Sequence, residues 1–570
     1  MILVDQATSR HFVDAGIWGK ARLDTILARI AGDRPNDIAL IDRSDGLGWQ
    51  RTFPAELTWA QVDHMVSAVS AVLLDSGLKQ DDIVAIQLGN TAETLVTYLA
   101  ALRAGLIPVA LPLTWREREL RAAFARLAPR AVVTATRIGP NDHCELAMRI
   151  AAESLSIKHI FAFGDPIPDG FWPLNGALSP DASEEGAYGA PRTGNPADHV
   201  AIATFASWEG RPEPVARSHN QWLTAAMEIV LDARIGPDAV IATTLLPSSL
   251  AGIACGLGAW LLAGCRLILV MPVTSSAFCR EISRLAATHL VMPGNLTHLA
   301  NRLDPQRRMR LIRYWASPEA FSPMEDATGG DKTVTDIVSL DEMALTSGSG
   351  RTSLVLSIEP IGSEASDESE TENEAAPPEP DPKDVLLSAR MPGAMVRSGG
   401  SFAPGALMSG ALLLGGPQVP MAPLPTGGTE VEASFRFKPH PDGFRETGLR
   451  CRRVDNGRPM LAIQGHRKET FVTGGASIAA EDLDKVYRAF DGFLDAASAS
   501  IPDVLFGERI VAAVVPKPGK DCSLAVFRAY LRSLGVSPHM IPERIITVQE
   551  IPKASDGAVL RSAIATKLAA

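Results

Sequence analysis

The chain has 570 residues, too many for one hydrophobic core, so at least two domains are expected. Its hydrophobic fraction of 46% and charged fraction of 21% are those of a water-soluble globular protein, and a net charge of −11 argues against broad nucleic-acid binding. The cysteines (Cys144, Cys255, Cys265, Cys279, Cys451, Cys522) are scattered without CxxC or Cys/His spacing. That argues against a structural zinc site and favours a reducing, cytoplasmic setting.

MILVDQATSRHF lacks the basic start and apolar run of a signal peptide. LDTILARIA is an amphipathic opening, and IALIDRS reads as a strand. LTWAQVDHMVSAVSAVLLDSG has helical apolar spacing and stops at Gly77. DIVAIQLGN, TAETLVTYLAALRAG, LIPVALPL, RERELRAAFARLAP and AVVTAT continue as strand, helix, strand, helix, strand. Such alternation predicts an α/β fold with a largely parallel sheet.

HVAIATFAS is a buried strand and WLTAAMEIVLDA a helix. Between them a loop with Gly210, Pro212 and Pro214 is expected. Strand, loop, helix is a phosphate-holding layout, since loop N–H groups and a helix N-terminus attract anions. This loop, however, carries Trp208, Glu209 and Glu213 where a phosphate loop offers glycines, hydroxyls and a lysine.

Residues 239–265 hold no charged side chain, enough to span a bilayer. Pro247, Ser248, Ser249 and several glycines interrupt them, so a buried helix is the better reading. AVIATTLLP, RLILVMP, FCREISRLAA and HLVMPG resume the alternation. The stretch SEASDESETENEAAPPEPDPKD then carries nine acidic residues against Lys383. It reads as a disordered insert over about 362–385, a solvated linker or a docking tail for a protein partner. Residues 388–425 suggest loops and short strands. From Met460 onward MLAIQG, SIAAEDLDKVYRAF, RIVAAVVPK and LAVFRAYLRSLG form a compact α+β unit.

The order of pieces resembles the adenylate-forming superfamily of acyl-CoA synthetases, luciferases and nonribosomal adenylation domains, over nearly the whole chain. DIVAIQLGNTAETLVTYLAALRAGLIPVALPL resembles its first Rossmann-like half, and IQGHRKETFVTGGASIAAEDLDKV its hinge and C-terminal start. The resemblance implies a large N-terminal α/β domain of Rossmann-like layers (1–464) and a small α+β domain (465–570) joined by a hinge. It implies formation of an acyl adenylate from a carboxylic acid and ATP with Mg²⁺, then acyl transfer to a thiol such as CoA.

Within that resemblance the phosphate loop maps to Thr204, Ser207 and Gly210, with Glu213 in place of its Lys. Two like charges at ~4 Å repel by ~1 kcal/mol in water and by more in a drier site. The adenine and metal segment maps to Val338-Ser339-Leu340-Asp341-Glu342, with Glu342 as the Mg²⁺ ligand and Val338 in place of the stacking Tyr. Thr447-Gly448-Leu449 maps to the ribose-binding Thr-Gly-Asp, where Leu449 accepts no hydrogen bond. Lys468 maps to the hinge, and Gly474 and Gly475 to the pair that lets the thiol arm pass. Ala558 stands where the catalytic Lys belongs. No GxSxG elbow is present, and His219 reads as structural. With four ATP-binding positions all occupied by unsuitable side chains (Glu213, Val338, Leu449, Ala558), the resemblance implies a pseudoenzyme with acyl adenylation lost or strongly reduced. The alternative is a working carboxylic acid–CoA ligase with altered ATP contacts.

Overall fold

The computed structural model describes residues 1–43, 53–208, 211–271, 275–284, 286–300, 309–321, 333–349, 385–387, 395–399, 409–425, 437, 444–455, 459–466, 468–554 and 557–569. The acidic insert expected over 362–385 and Gly210 lie outside them, apart from Val385.

Two mixed sheets carry the N-terminal part. In the first, Ile107–Ala110, Ile83–Ile86, Ala131–Ala135 and His159–Phe163 run parallel, and Val200–Trp208 adds alongside Ile107–Ala110. In the second, Val334–Leu340, Arg310–Trp315, His289–Pro293, Val240–Thr243, Arg266–Val270 and Ile38–Arg43 are parallel neighbours, with antiparallel strands at both edges. The apolar faces of the helices Trp59–Asp75 and Ala92–Ala104 close the largest core, where Trp59 stacks on Trp260 at 4.8 Å. This is the α/β architecture that the alternation predicts. A five-stranded antiparallel sheet follows, centred on Arg445–Asp455.

The C-terminal unit is a small sheet of Ala476–Ala479, Thr470–Thr473, Gly507–Pro516 and Phe493–Asp503, with Ile545–Thr547 beside Gly507–Pro516. The helices Ala480–Arg488 and Leu524–Ser533 cover it through Leu483, Tyr487 and Phe527. Arg561 ties its last helix to Asp484 at 2.9 Å.

The charge-free stretch 239–265 forms a strand and three short consecutive helical segments, and no helix among the described residues is long and apolar enough to cross a membrane. Its glycines serve packing. A Cβ on Gly258 would stand 2.6 Å from the Ala226 Cβ, and one on Gly252 only 1.9 Å from the Leu246 carbonyl oxygen.

The loop expected after Val200–Trp208 is instead the second arm of a hairpin, because Arg211–Ser218 pairs antiparallel with it as far as Trp208–Arg211. Pro212 and Pro214 therefore lie on a strand. They are tolerated because this strand is the sheet edge, where one row of N–H groups has no ladder partner to serve.

Candidate functional site

A cavity of about 740 Å³ lies between the two units. Phe205, Leu245, Leu246, Tyr314 and Trp315 give it an apolar, aromatic wall on the N-terminal side, with Ser248 and Ser249 among them. Trp315 reaches this wall because Gly294 leaves room for it: a Cβ there would stand 2.3 Å from the indole. The C-terminal unit contributes the hairpin around Gly474 and Gly475, both at positive φ, and the residues Asp482, Phe506, Glu508 and His539.

Of the residues that sequence marks for the site, the structure brings Glu342, Gly474 and Gly475 to this cavity. Asp341 and Glu342 are the central residues of a tight turn between Val334–Leu340 and Ala344–Ser349, at φ 55° and 58°, closed by the Met343 N–H on the Leu340 carbonyl at 3.0 Å. Both central residues being left-handed defines a type I′ turn, which side-chain-bearing residues adopt at a cost of ~1–3 kcal/mol each. Contacts around Glu342 hold it. Its Oε2 accepts from the Thr204 hydroxyl at 3.0 Å and from the Leu250 N–H at 2.9 Å. Its own N–H donates to Ser339 Oγ at 3.3 Å, and its carbonyl accepts from the Arg217 guanidinium. Desolvation raises the Glu342 carboxyl above its ordinary pKa, with Arg217 acting in the opposite direction.

Thr204 thus joins Glu342, and the other marked residues stand elsewhere. Glu213 is 1% exposed and turned onto Arg126 of the helix Glu117–Leu127, with the charges 3.7 Å apart. The expectation that Glu213 repels a phosphate from within the cleft is thus corrected: the charged side chain of this strand that lines the cavity is Arg211. Val338 and Leu449 are each 0% exposed and belong to one apolar cluster with Leu412, Met343 and Cys451. Thr447 is buried beside them, donating to the Leu412 carbonyl at 3.0 Å, and Gly448 takes φ 76°. Lys468 is exposed and faces Glu481 at 3.7 Å. Ala558 closes a small turn through its carbonyl, which accepts from the Ala554 N–H at 2.8 Å. Ser207 sits in the hairpin opposite Pro212, and His219 is buried, accepting from the Leu23 N–H at 3.2 Å.

Sequence reasoning missed Arg217, Arg211 and the carboxylates of the C-terminal unit. Arg217 was visible as the one Arg or Lys in PVARSHN, just before the helix.

These positions test the fit of ATP and Mg²⁺. The places expected to hold adenine and ribose are closed inside an apolar cluster. The strand expected to cradle phosphates is paired along its length, and prolines at 212 and 214 carry no N–H. The cavity wall offers Glu119, Asp341, Glu342, Asp482 and Glu508 against Arg211, with His466 3.8 Å from Asp341 and His539 also on it. Burial, aided by the Arg116 charge, pulls His539 down to about 4, so it adds no positive charge near neutrality. An anion as charged as a triphosphate is poorly matched to such a wall. For a Mg²⁺-nucleotide the wall offers Glu342 toward the ion and Arg211 toward the phosphates, with the positions mapped to adenine and ribose buried.

The model of the AMP-binding enzyme family matches residues 27–388. The chain belongs to that family. Among its relatives, a salicyl-AMP ligase / salicyl-S-ArCP synthetase of Mycobacterium tuberculosis is 26% identical over 97% of this chain and 92% of its own length. A salicylyl-CoA synthase / salicylate adenylyltransferase of a Streptomyces species is 25% identical over 96% and 94%. Among solved structures, the amide bond synthetase McbA of Marinactinospora thermotolerans aligns with a TM-score of 0.69 at 18% identity, covering 96% of this chain and 99% of that one. Apo MbtA of Mycobacterium smegmatis aligns at 0.62 and 23% identity, covering 99% and 98%. This AMP-binding enzyme family member therefore shares a complete two-unit fold with its relatives.

Proposed function

We propose that the chain is an acyl-CoA synthetase-like protein that keeps an acyl pocket and a route for a thiol arm, with ATP-dependent acyl adenylation lost or strongly reduced. The observation that carries this is the burial of Val338 and Leu449, 0% exposed, in one apolar cluster where adenine and ribose contacts are expected. The retained ligand is an aromatic carboxylic acid or its thioester. Support comes from the wall of Phe205, Tyr314 and Trp315 with serine hydroxyls, and from relatives named for salicylate. Gly474 and Gly475 at the cavity support passage of a narrow thiol arm such as that of CoA.

Carboxylate-dependent ATP–pyrophosphate exchange over a panel of aryl and alkyl acids, beside calorimetry with ATP and with salicylate, tests the reading. Salicylate binding with no exchange and no ATP heat is the expected result. Exchange above the no-acid background overturns it in favour of a working carboxylic acid–CoA ligase using ATP, Mg²⁺ and CoA. One observation favours that second reading: Arg211 faces the cavity and supplies a cation close to where the phosphate-loop Lys is expected.

A further inference from the structure

Trp315 and Val338 are neighbours in register across the parallel strands Arg310–Trp315 and Val334–Leu340, and Arg313 and Asp336 are the pair two residues before them. Side chains alternate along a strand, so these four share one face of the sheet. Val338 is the position that maps to the adenine-stacking Tyr. Trp315 is buried in the same apolar cluster as Val338 and Leu449, and it also lines the cavity. The indole therefore stands between the open cleft and the place expected for a base. It is fixed there by polar and packing contacts together. Its Nε1 donates to Asp336 Oδ1 at 2.8 Å, and Asp336 also accepts from Arg313 Nε at 2.7 Å and Nη2 at 2.6 Å. Phe321 meets the indole edge-on with 5.7 Å between ring centroids.

We infer that the Trp315 indole occupies the space of a purine base beside Val338, with Asp336 as the acceptor that selects a flat bicyclic ring bearing an N–H. This rests on the proposed loss of adenylation and on the mapping of Val338, and it deepens both by naming the residue that fills the base's place. Val338 removes a stacking partner, whereas Trp315 removes the room. Truncating Trp315 would leave an indole-shaped space open to the cleft, with an Asp336 oxygen facing it that has lost a donor. Apolar cavities made by deleting a ring take up ligands of matching shape. A buried acceptor built for an N–H rejects the analogue that lacks one, because the acceptor is then left unpaired.

The experiment is calorimetry on the full chain, wild type and W315A, with indole, with benzothiophene (the same outline without the N–H) and with adenine. W315A is expected to bind indole about tenfold more tightly than benzothiophene, with an indole-dependent rise in melting temperature, and wild type to show no such preference. Adenine is expected to bind W315A about tenfold more tightly than wild type. Where W315A does not fold, W315L, which keeps part of the apolar contact, is expected to show both differences in smaller degree. A truncated variant that does not prefer indole to benzothiophene overturns the inference, as does adenine that binds it no better than wild type. These titrations contain no ATP, so either failure leaves the lost-adenylation reading standing. Wild-type pyrophosphate exchange, in turn, overturns that reading and leaves the ring preferences of W315A to decide this one.

Discussion

Leu449 shows most directly how one side chain limits what this site can become. It is 0% exposed and packed with Val338, Leu412 and Cys451. Restoring the family's ribose-binding carboxylate with L449D would place a charge in that cluster. The expected loss is ~3–5 kcal/mol in urea unfolding, against less than ~1.5 kcal/mol for the volume-conserving L449M. Nucleotide binding is therefore not recovered by this substitution alone, because the cluster must first open. A second residue carries a pH signature. The Glu228 carboxyl lies beside Asp232 on the same helix, with Ser347 and Gln418 as its donors, and burial pushes it up from 4.5 to about 7. A carboxyl raised in the folded state contributes stability that is full below about 4.5 and is lost as pH climbs to about 7. Comparing unfolding at roughly pH 5 and roughly pH 8, wild type is expected to lose on the order of 2–3 kcal/mol more than E228Q. Equal pH slopes for the two proteins would contradict it.

The elements were legible in the sequence where one period dominated. Trp59–Asp75 and Ala92–Ala104 follow directly from apolar spacing and a closing glycine, and the parallel strands from short buried runs. The hairpin 200–218 was not. Pro212 and Pro214 read as loop punctuation, and only the sheet order reveals that they sit on an edge where a missing N–H costs no ladder bond. The inward turn of Glu213 was hidden for the same reason, since its partner Arg126 is 87 residues earlier in the chain. The Gly-rich stretch after Ser249 offers a test of packing against lipid. The Gly258 position lies where a Cβ would be 2.6 Å from Ala226 on the helix His219–Asp232. G258A is expected to lower stability by ~1–3 kcal/mol through overpacking. Thermal unfolding unchanged from wild type would show that the two helices do not pack this closely.

At the scale of the whole molecule, the decisive feature is which face the C-terminal unit turns toward the cavity, and this depends on contacts that sequence order does not encode. The Ser537 hydroxyl donates to the Thr114 carbonyl at 2.7 Å, and its N–H to Glu119 at 3.3 Å. The Arg118 N–H donates to the Gly535 carbonyl at 3.2 Å. Gly535 is the tightest point: at φ 63° it has no Cβ, and one would stand 2.8 Å from the Glu117 Cβ. Gly519 offers a matched control in the same unit, with φ 77° and nothing within 4 Å of a Cβ. G519A and G535A both incur the left-handed backbone strain of ~1–2 kcal/mol, but only G535A also meets the opposite unit. G535A is therefore expected to loosen the arrangement that points Gly474 and Gly475 into the cavity. Small-angle scattering should show a larger radius of gyration, and hydrogen exchange a loss of protection at the start of the helix Glu117–Leu127, with G519A unchanged in both. If the two variants behave alike, Gly535 is only a turn, and the orientation of the units must be held elsewhere, with the Asn295 contact to the Leu505 carbonyl at 2.5 Å as one such polar clasp.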